Sequence, residues 1–310
     1  MARFTIVGLG ESLFDILPDG QVLGGAPLNV AVQAHQASQP IDGRGVVVSR
    51  VGQDELGEQL LAELRQRGMS IDYVQTDPDR ATGKVYVDIP FAGGEPSYDI
   101  VKSVAWDWLQ YDPDIQSLAQ RCEGVCFGSL AQREAETRNT IYRFLTDARR
   151  AVRLFDVNLR QDFWTPQIIE RSCEYANAIK LNAAELPVVA DALRVDRPDD
   201  IDSDETVDQV ARAVLRKSKV QIIALTRGAR GTVVYVGDDK VEGESFSYEP
   251  VENADAVGAG DACCAGLLIG LVRRWPMDRT VSLANAMGAY VASQHGATPP
   301  LPDEIKAMVK

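Results

Sequence analysis

From about residue 120 the chain settles into a rhythm of short apolar runs and longer amphipathic stretches. The runs are Gly124-Val125-Cys126-Phe127-Gly128, Arg153-Leu154-Phe155-Asp156-Val157-Asn158, Ala178-Ile179-Lys180-Leu181-Asn182 and Gln221-Ile222-Ile223-Ala224-Leu225-Thr226. Helix-length stretches lie near 134–150, 167–175, 183–193 and 206–218. Strand–helix alternation of this kind predicts a parallel sheet with helices on both faces. Most of the runs end in polar residues: Asp156 and Asn158, Asn182, Thr226. In open α/β sheets ligands sit beyond the carboxyl ends of the strands, so these residues fall where a site is expected. For any one of them, capping the next helix or making a turn is an equally good account.

The early part has a different period. Leu13-Phe14-Asp15-Ile16-Leu17-Pro18, Lys84-Val85-Tyr86-Val87-Asp88-Ile89 and Ser97-Tyr98-Asp99-Ile100-Val101 alternate like half-exposed strands. Turn signals separate them at Pro18-Asp19-Gly20 and Ala92-Gly93-Gly94-Glu95-Pro96. They predict a small β lid, formed by about 12–26 and 84–104, interrupting one domain that spans 1–310. Exposed strand edges there invite pairing with a second subunit, a homodimer through the lid. The acidic segment 191–208 reads as a solvated loop.

Composition narrows the function. A formal net charge of −13 leaves no basic footprint for nucleic acid. A phosphorylated ligand would have to be held by backbone N–H groups, a few Arg and bound cations. The five cysteines, Cys122, Cys126, Cys173, Cys263 and Cys264, form no CxxC pair, which disfavours a zinc site or a disulfide framework. They read as buried, reduced residues of a cytoplasmic protein. Met1-Ala2-Arg3-Phe4-Thr5-Ile6-Val7-Gly8 lacks the apolar stretch of a signal peptide, and no run is long enough for a membrane helix. With only His35 and His295 present, a general base is expected to be a carboxylate.

The strongest local signal is Asp255-Ala256-Val257-Gly258-Ala259-Gly260-Asp261, followed by an apolar, small-residue stretch that ends in Arg273-Arg274. That predicts a buried helix opening at Gly258-Ala259-Gly260. Its first N–H groups lack intrahelical partners and carry the positive end of the dipole. Glycines there let a phosphate approach closely. Asp261 would lie beside that phosphate and could take a proton from an attacking hydroxyl. Spacing alone is also met by an ordinary acidic helix start. No G-x-x-x-x-G-K-S/T loop occurs, and G-x-G-x-x-G fails at both Gly8-Leu9-Gly10 and Gly258-Ala259-Gly260.

Seven motifs in order resemble the ribokinase-like (phosphofructokinase-B type) carbohydrate kinases. They are Gly24-Gly25-Ala26-Pro27-Leu28-Asn29-Val30-Ala31, Gly52-Gln53-Asp54-Glu55-Leu56-Gly57, Thr82-Gly83, Asp156-Val157-Asn158-Leu159-Arg160, Asn182-Ala183-Ala184-Glu185, Thr226-Arg227-Gly228-Ala229-Arg230-Gly231 and Asp255 to Asp261. The resemblance implies a ribokinase-like three-layer α/β/α domain with a mostly parallel sheet and a small β-sheet lid. It implies ATP and Mg²⁺ as cofactors and a small sugar as acceptor. Asp261 matches the catalytic base, and Gly258, Ala259 and Gly260 match the anion hole. Asp15, Gly25 and Asn29 match positions that hold sugar hydroxyls, and Arg160 matches a contact to the sugar or the transferring phosphate. Asn182 and Glu185 match the pair that organises Mg²⁺ through its waters. Thr226, Gly228 and Gly231 match the nucleotide loop, with Asn285 near the adenine pocket. Asp255, the Val257 carbonyl and the turn at Gly296 outline a monovalent-cation site for K⁺, although Ala256 departs from the Thr often found there.

Within the family, Gly10-Glu11-Ser12-Leu13-Phe14-Asp15-Ile16 and the stretch from Ser97 to Val101 with Ala105-Trp106-Asp107 are most similar to bacterial fructokinases. Fructose is thus the implied acceptor. Ribose, 2-keto-3-deoxygluconate or a nucleoside is the alternative within the family, and a catalytically silent sugar-binding regulator the alternative outside it. Trp106 and Trp108 either shape substrate choice or pack where the lid joins the core.

Overall fold

The computed structural model describes residues 4–17, 20–88 and 97–310. Met1 to Arg3, the Pro18-Asp19 turn signal, Ile89 and the Ala92-to-Pro96 turn signal lie outside the described residues. In chain order the strands are β1 (Phe4–Leu9), β2 (Leu13–Leu17), β3 (Gly20–Gly24), β4 (Gly43–Gly52), β5 (Val74–Asp77), β6 (Gly83–Asp88), β7 (Ser97–Ile100), β8 (Gly124–Gly128), β9 (Val152–Asp156), β10 (Ala178–Asn182), β11 (Ile222–Thr226), β12 (Thr232–Val236) and β13 (Asp239–Glu242). The helices are α1 (Ala26–Ser38), α2 (Glu55–Gln66), α3 (Pro113–Arg121), α4 (Ala135–Asp147), α5 (Pro166–Tyr175), α6 (Glu185–Ala192), α7 (Asp204–Ser218), α8 (Ala259–Val272), α9 (Met277–Ala292) and α10 (Asp303–Met308).

Nine strands form one sheet in the order β13-β12-β11-β10-β9-β8-β1-β4-β5. Its pairs are parallel from β5 across to β11, and antiparallel where β12 and β13 extend the edge. Both faces are covered, so β1 and β8 are buried along their whole length and read as apolar runs. On one side Phe127, Phe155, Leu181 and Ile223 of the sheet pack with Phe144 of α4, Ile169 of α5, Val189 of α6 and Val214 of α7. On the other, Ile6 and Leu154 pack with Val30 of α1, Leu268 of α8, Met287 of α9 and Ile305 of α10. Among the described residues no helix is long and apolar enough to cross a membrane.

A second sheet has the order β3-β2-β6-β7, parallel between β2 and β6 and antiparallel in its outer pairs. Phe14 and Leu23 anchor it against Val32 of α1 and Leu60 and Leu64 of α2. The motifs at 52–57 and 82–83 form one joint beneath it. Asp54 caps α2, its Oδ1 accepting from Gly57 N (2.8 Å) and Thr82 Oγ1 (2.6 Å), its Oδ2 from Thr82 N (2.8 Å). Thr82 Oγ1 in turn accepts from Gly52 N at 2.9 Å. These hydrogen bonds fasten the start of β6 to the end of β4 and the first turn of α2.

Several expectations need adjustment. The acidic segment 191–208 is a loop only in part, because Ser203 caps α7 and the helix begins at Asp204. The β12–β13 hairpin adds two strands that strand–helix alternation does not predict. Trp106 is fully buried in the core, in a 3-10 turn at Ala105–Trp108. Arg133 stacks on it at 4.1 Å while pairing with buried Asp107 at 2.7 Å, and Arg80 stacks on Trp108 at 4.0 Å. Of the two accounts of these tryptophans, packing is the one observed. All five cysteines are buried and free.

Candidate active site

The site is built around the start of α8. Gly258 is its N-cap with φ 78°, and a Cβ there would stand 2.5 Å from Ala297 Cα, so both backbone and space require glycine. Gly266 and Gly270 let α9 approach closely, since a Cβ on either would meet Ala284 or Thr280 below 3 Å. That close helix pair explains the run of small residues and sets the height of the α8 N-terminus. A Cβ on Gly260 would lie 3.0 Å from Lys180 Nζ, so the amine sits directly under the first turn. Asp261 Oδ2 accepts a 2.8 Å hydrogen bond from Asn29 Nδ2 of α1. Burial, reinforced by the nearby Asp156 carboxylate, pushes the Asp261 carboxyl up to about 6; Asn29, Lys180 and Arg160 oppose the rise.

The carboxyl ends of β9, β10 and β11 lie side by side beneath this turn. Register pairs Lys180 with Asp156, and Asn182 with Thr226. Lys180 Nζ donates to Asp156 Oδ1 at 3.0 Å, both side chains being buried. Burial alone would lower the Lys180 amine; the facing Asp156 carboxylate, together with Cys264, Cys263 and Glu185, outweighs it and holds the ammonium well above its usual range. Cys264 Sγ lies 3.4 Å from the other oxygen of Asp156. Glu185, at the start of α6, accepts from Leu159 N and Asn182 N, both at 2.9 Å, and Asn182 Oδ1 accepts from Glu185 N at 2.9 Å. Burial and then Asp156 raise the Glu185 carboxyl.

On the other side of Asp261 stand Glu11, at the turn after β1, and Asp15 of β2. Burial raises Glu11 to about 7 and Asp15 to about 6, and Arg160 is the cation opposing both. The exposed Arg160 is thus a cation whose charge acts on three carboxyl groups: Glu11, Asp15 and Asp261. Gly25, at φ 109°, packs so closely that a Cβ would lie 2.6 Å from the Glu11 carbonyl oxygen. Asn29 N donates to Gly25 O at 2.9 Å, tying the glycine loop to α1. Tyr98 of β7 lies on the same face of the small sheet as Asp15, because register pairs Asp15 with Val85 and Val87 with Tyr98. It is half exposed, and its carbonyl accepts a hydrogen bond from Gln161 Nε2, one residue beyond Arg160.

Thr226 ends β11, and Gly228 and Gly231 bound a 3-10 turn at Gly228–Arg230. Asn285 of α9 is buried beside Gly231, with both ends of its amide engaged by backbone: Oδ1 accepts from Thr232 N (2.9 Å) and Nδ2 donates to Glu244 O (3.0 Å). Asp255, Val257 and Gly296 are brought together. Asp255 Oδ1 accepts from Val257 N at 3.0 Å and Oδ2 from Gly296 N at 3.1 Å, with His295 Nδ1 at 3.2 Å. Among the described residues no cluster of three or more His, Cys, Asp or Glu side chains could hold a metal. A separate cleft of about 730 Å³, lined in part by Lys102, Arg133, Phe163 and Trp164, contains none of the residues gathered here. Glu11 and Lys180 are the members of the site that sequence alone leaves without a role. A charged residue in the middle of a doubly covered strand was the available signal for Lys180.

Comparison with known proteins matches this arrangement to a family. The family model for pfkB family carbohydrate kinases matches residues 19–304. A fructokinase from Klebsiella pneumoniae is 30% identical over 312 residues, covering 95% of each chain. Among solved structures, a fructokinase from Xylella fastidiosa with bound ATP superposes with a TM-score of 0.81 at 21% identity, covering 98% of both chains. A double-mutant fructokinase from Vibrio cholerae O395, with fructose, ADP and potassium ion bound, gives 0.78 at 23% identity over 100% of this chain and 99% of that one. The three-layer architecture is ribokinase-like, and the chain belongs to the pfkB family of carbohydrate kinases.

Proposed function

We propose that this sugar kinase is an ATP-dependent fructokinase, with Asp261 as the base that takes the proton of the acceptor hydroxyl. The observation that carries it is the placing of Asp261. It is a half-buried carboxylate in the first turn of a helix whose N-terminal N–H groups lie at Gly258, Ala259 and Gly260, and Asn29 orients it. Those backbone N–H groups are the anion hole for the transferring phosphoryl group, whose chemistry depends mainly on position and charge. Asp15, Gly25 and Asn29 hold the sugar hydroxyls and Arg160 the sugar or the phosphate. Thr226, Gly228 and Gly231 carry the nucleotide, with Asn285 supporting their turn from below. The small sheet of β2, β3, β6 and β7 is a lid over the sugar within a single domain, and it excludes water from the phosphoryl group.

The residues fit the expected ions. Both Glu185 oxygens already accept backbone N–H groups, which suits a carboxylate that holds the waters of Mg²⁺ in place of the metal itself. Bound Mg²⁺ would neutralise charge on the ATP phosphates. Asp255, the Val257 carbonyl and the Gly296 turn form the K⁺ site, in keeping with the potassium in the Vibrio relative.

Charge favours a neutral acceptor. Glu11, Asp15 and Asp261 outnumber the cations that act on them, Arg160 and Lys180, so an anionic sugar such as 2-keto-3-deoxygluconate meets repulsion. A neutral ketose meets hydrogen-bond acceptors suited to its hydroxyls. The fructokinase relatives point the same way. A cytoplasmic location, where ATP is available, and pairing of two copies through the lid complete the proposal. ADP release measured with fructose, ribose, 2-keto-3-deoxygluconate and adenosine tests it. Fructose is expected to give the highest kcat/KM. Another acceptor in first place overturns the choice of fructose, and no release above the blank with any acceptor overturns the kinase assignment.

A further inference from the structure

One buried carboxyl in the site has no partner for half of its hydrogen-bonding capacity. Glu11 is 3% exposed, and among the described residues its Oε2 atom meets no hydrogen-bond partner. The charges that act on its carboxyl are those of Asp261, Arg160 and Asp156. Its backbone supports the glycine loop, since a Cβ on Gly25 would lie 2.6 Å from the Glu11 carbonyl oxygen.

None of the side-chain donors nearby is hydrogen-bonded to Oε2. Asn29 Nδ2 serves Asp261 at 2.8 Å, Ser12 Oγ shares a hydrogen bond with Ser49 Oγ at 2.8 Å, and Arg160 Nη1 donates to Leu159 O at 3.2 Å. Buried polar atoms are rarely left unpaired in folded proteins, and one that is unpaired calls for a specific cause. A ligand that arrives with its own hydroxyl supplies that cause here. A hydroxyl both donates and accepts, so it can pair with Glu11 whether or not the carboxyl carries a proton.

We propose that Glu11 is a further sugar-binding residue, its free Oε2 pairing with a hydroxyl of the bound sugar other than the one that is phosphorylated. The proposal rests on the fructokinase assignment above. It adds a recognition contact between Gly25 and Asp261, and it makes affinity depend on one particular hydroxyl of the acceptor.

The test compares wild type with Glu11→Ala and Glu11→Gln, using initial rates of ADP release with fructose and with a series of monodeoxyfructoses. Glu11→Ala should raise the KM for fructose about tenfold or more, leave the KM for ATP unchanged, and move kcat less than KM. One deoxy analogue should be poor for wild type, yet no worse than fructose for Glu11→Ala. Glu11→Gln, which keeps a hydrogen-bonding group, should recover part of the lost affinity. Removing an unpaired buried carboxyl should also leave the ligand-free Tm of Glu11→Ala at or above that of wild type. If that variant does not fold, Glu11→Gln against wild type across the deoxy series gives the same comparison. An unchanged fructose KM, or a loss falling equally on fructose and every analogue, overturns the proposal while leaving the kinase assignment standing. Wild type turning over no sugar overturns both.

Discussion

At the scale of single residues, the proposed base is a carboxyl whose titration is pushed up toward neutral pH. Burial favours the protonated form of Asp261, while Asn29, Lys180 and Arg160 favour the ionised one, and the balance falls at about 6. Only the ionised form can accept a hydroxyl proton, so activity is lost as pH falls through that value. The acid limb of kcat/KM is therefore expected near pH 6, well above the ordinary Asp value of 3.8. Asp15, also raised to about 6, should steepen the same limb under the proposed role of its carboxylate as an acceptor from the sugar. Asp261→Asn keeps the size of the side chain but cannot take the proton, and should lower kcat by about 100-fold or more. A pH-rate series on wild type and this variant checks both statements. Near-normal kcat in Asp261→Asn would remove Asp261 from the chemistry. Asp261 was legible as a candidate from the loop Gly258-Ala259-Gly260 and the helix after it, together with the ordered motifs upstream. Glu11 was not, because its unpaired oxygen arises only in the folded chain, where Gly25 packs against its backbone.

At the scale of elements, the floor of the site depends on one ion pair between neighbouring strands. Lys180 of β10 and Asp156 of β9 are both buried, and each compensates the other's lost hydration. Lys180→Met leaves Asp156 uncompensated and should destabilise the protein by about 3–5 kcal/mol, read from urea unfolding. Adding Asp156→Leu removes the stranded charge and should recover much of that loss. A single variant as stable as wild type would show that the pair does not hold the floor. The bounds of β10 are fully legible in sequence, since the apolar run 178–182 stands between turns and helices. The function of its central lysine is not, because pairing across a sheet depends on strand order, which one-dimensional periodicity does not contain. The β12–β13 hairpin is missed for a related reason. An antiparallel strand joins the edge through a short turn, so it needs none of the helix-length spacing by which parallel strands are recognised.

At the scale of the whole molecule, among the described residues the large sheet is covered on both faces but the small one is not. Its buried end is fixed by Phe14 and Leu23, while Tyr86 and Tyr98 remain 49% and 52% exposed. Tyr98 shares the face of Asp15, the side of the proposed sugar site. Tyr86 lies on the opposite face, its register partners being Ile16 on β2 and Asp99 on β7. An exposed tyrosine beside Ile16, in a sheet with free edges at β3 and β7, is suited to pairing with a second copy. Light scattering at micromolar concentration should therefore report a dimer. Tyr86→Lys places a charge on that face, away from the sugar, and should shift the equilibrium toward monomer. Its effect on the fructose KM then separates two roles for the lid. If each subunit closes its own lid, the monomeric variant keeps the wild-type KM. If the partner copy braces the lid, KM rises as the dimer dissociates and falls again at higher protein concentration. A wild-type monomer at micromolar concentration would overturn the pairing and leave Tyr86 an isolated surface residue.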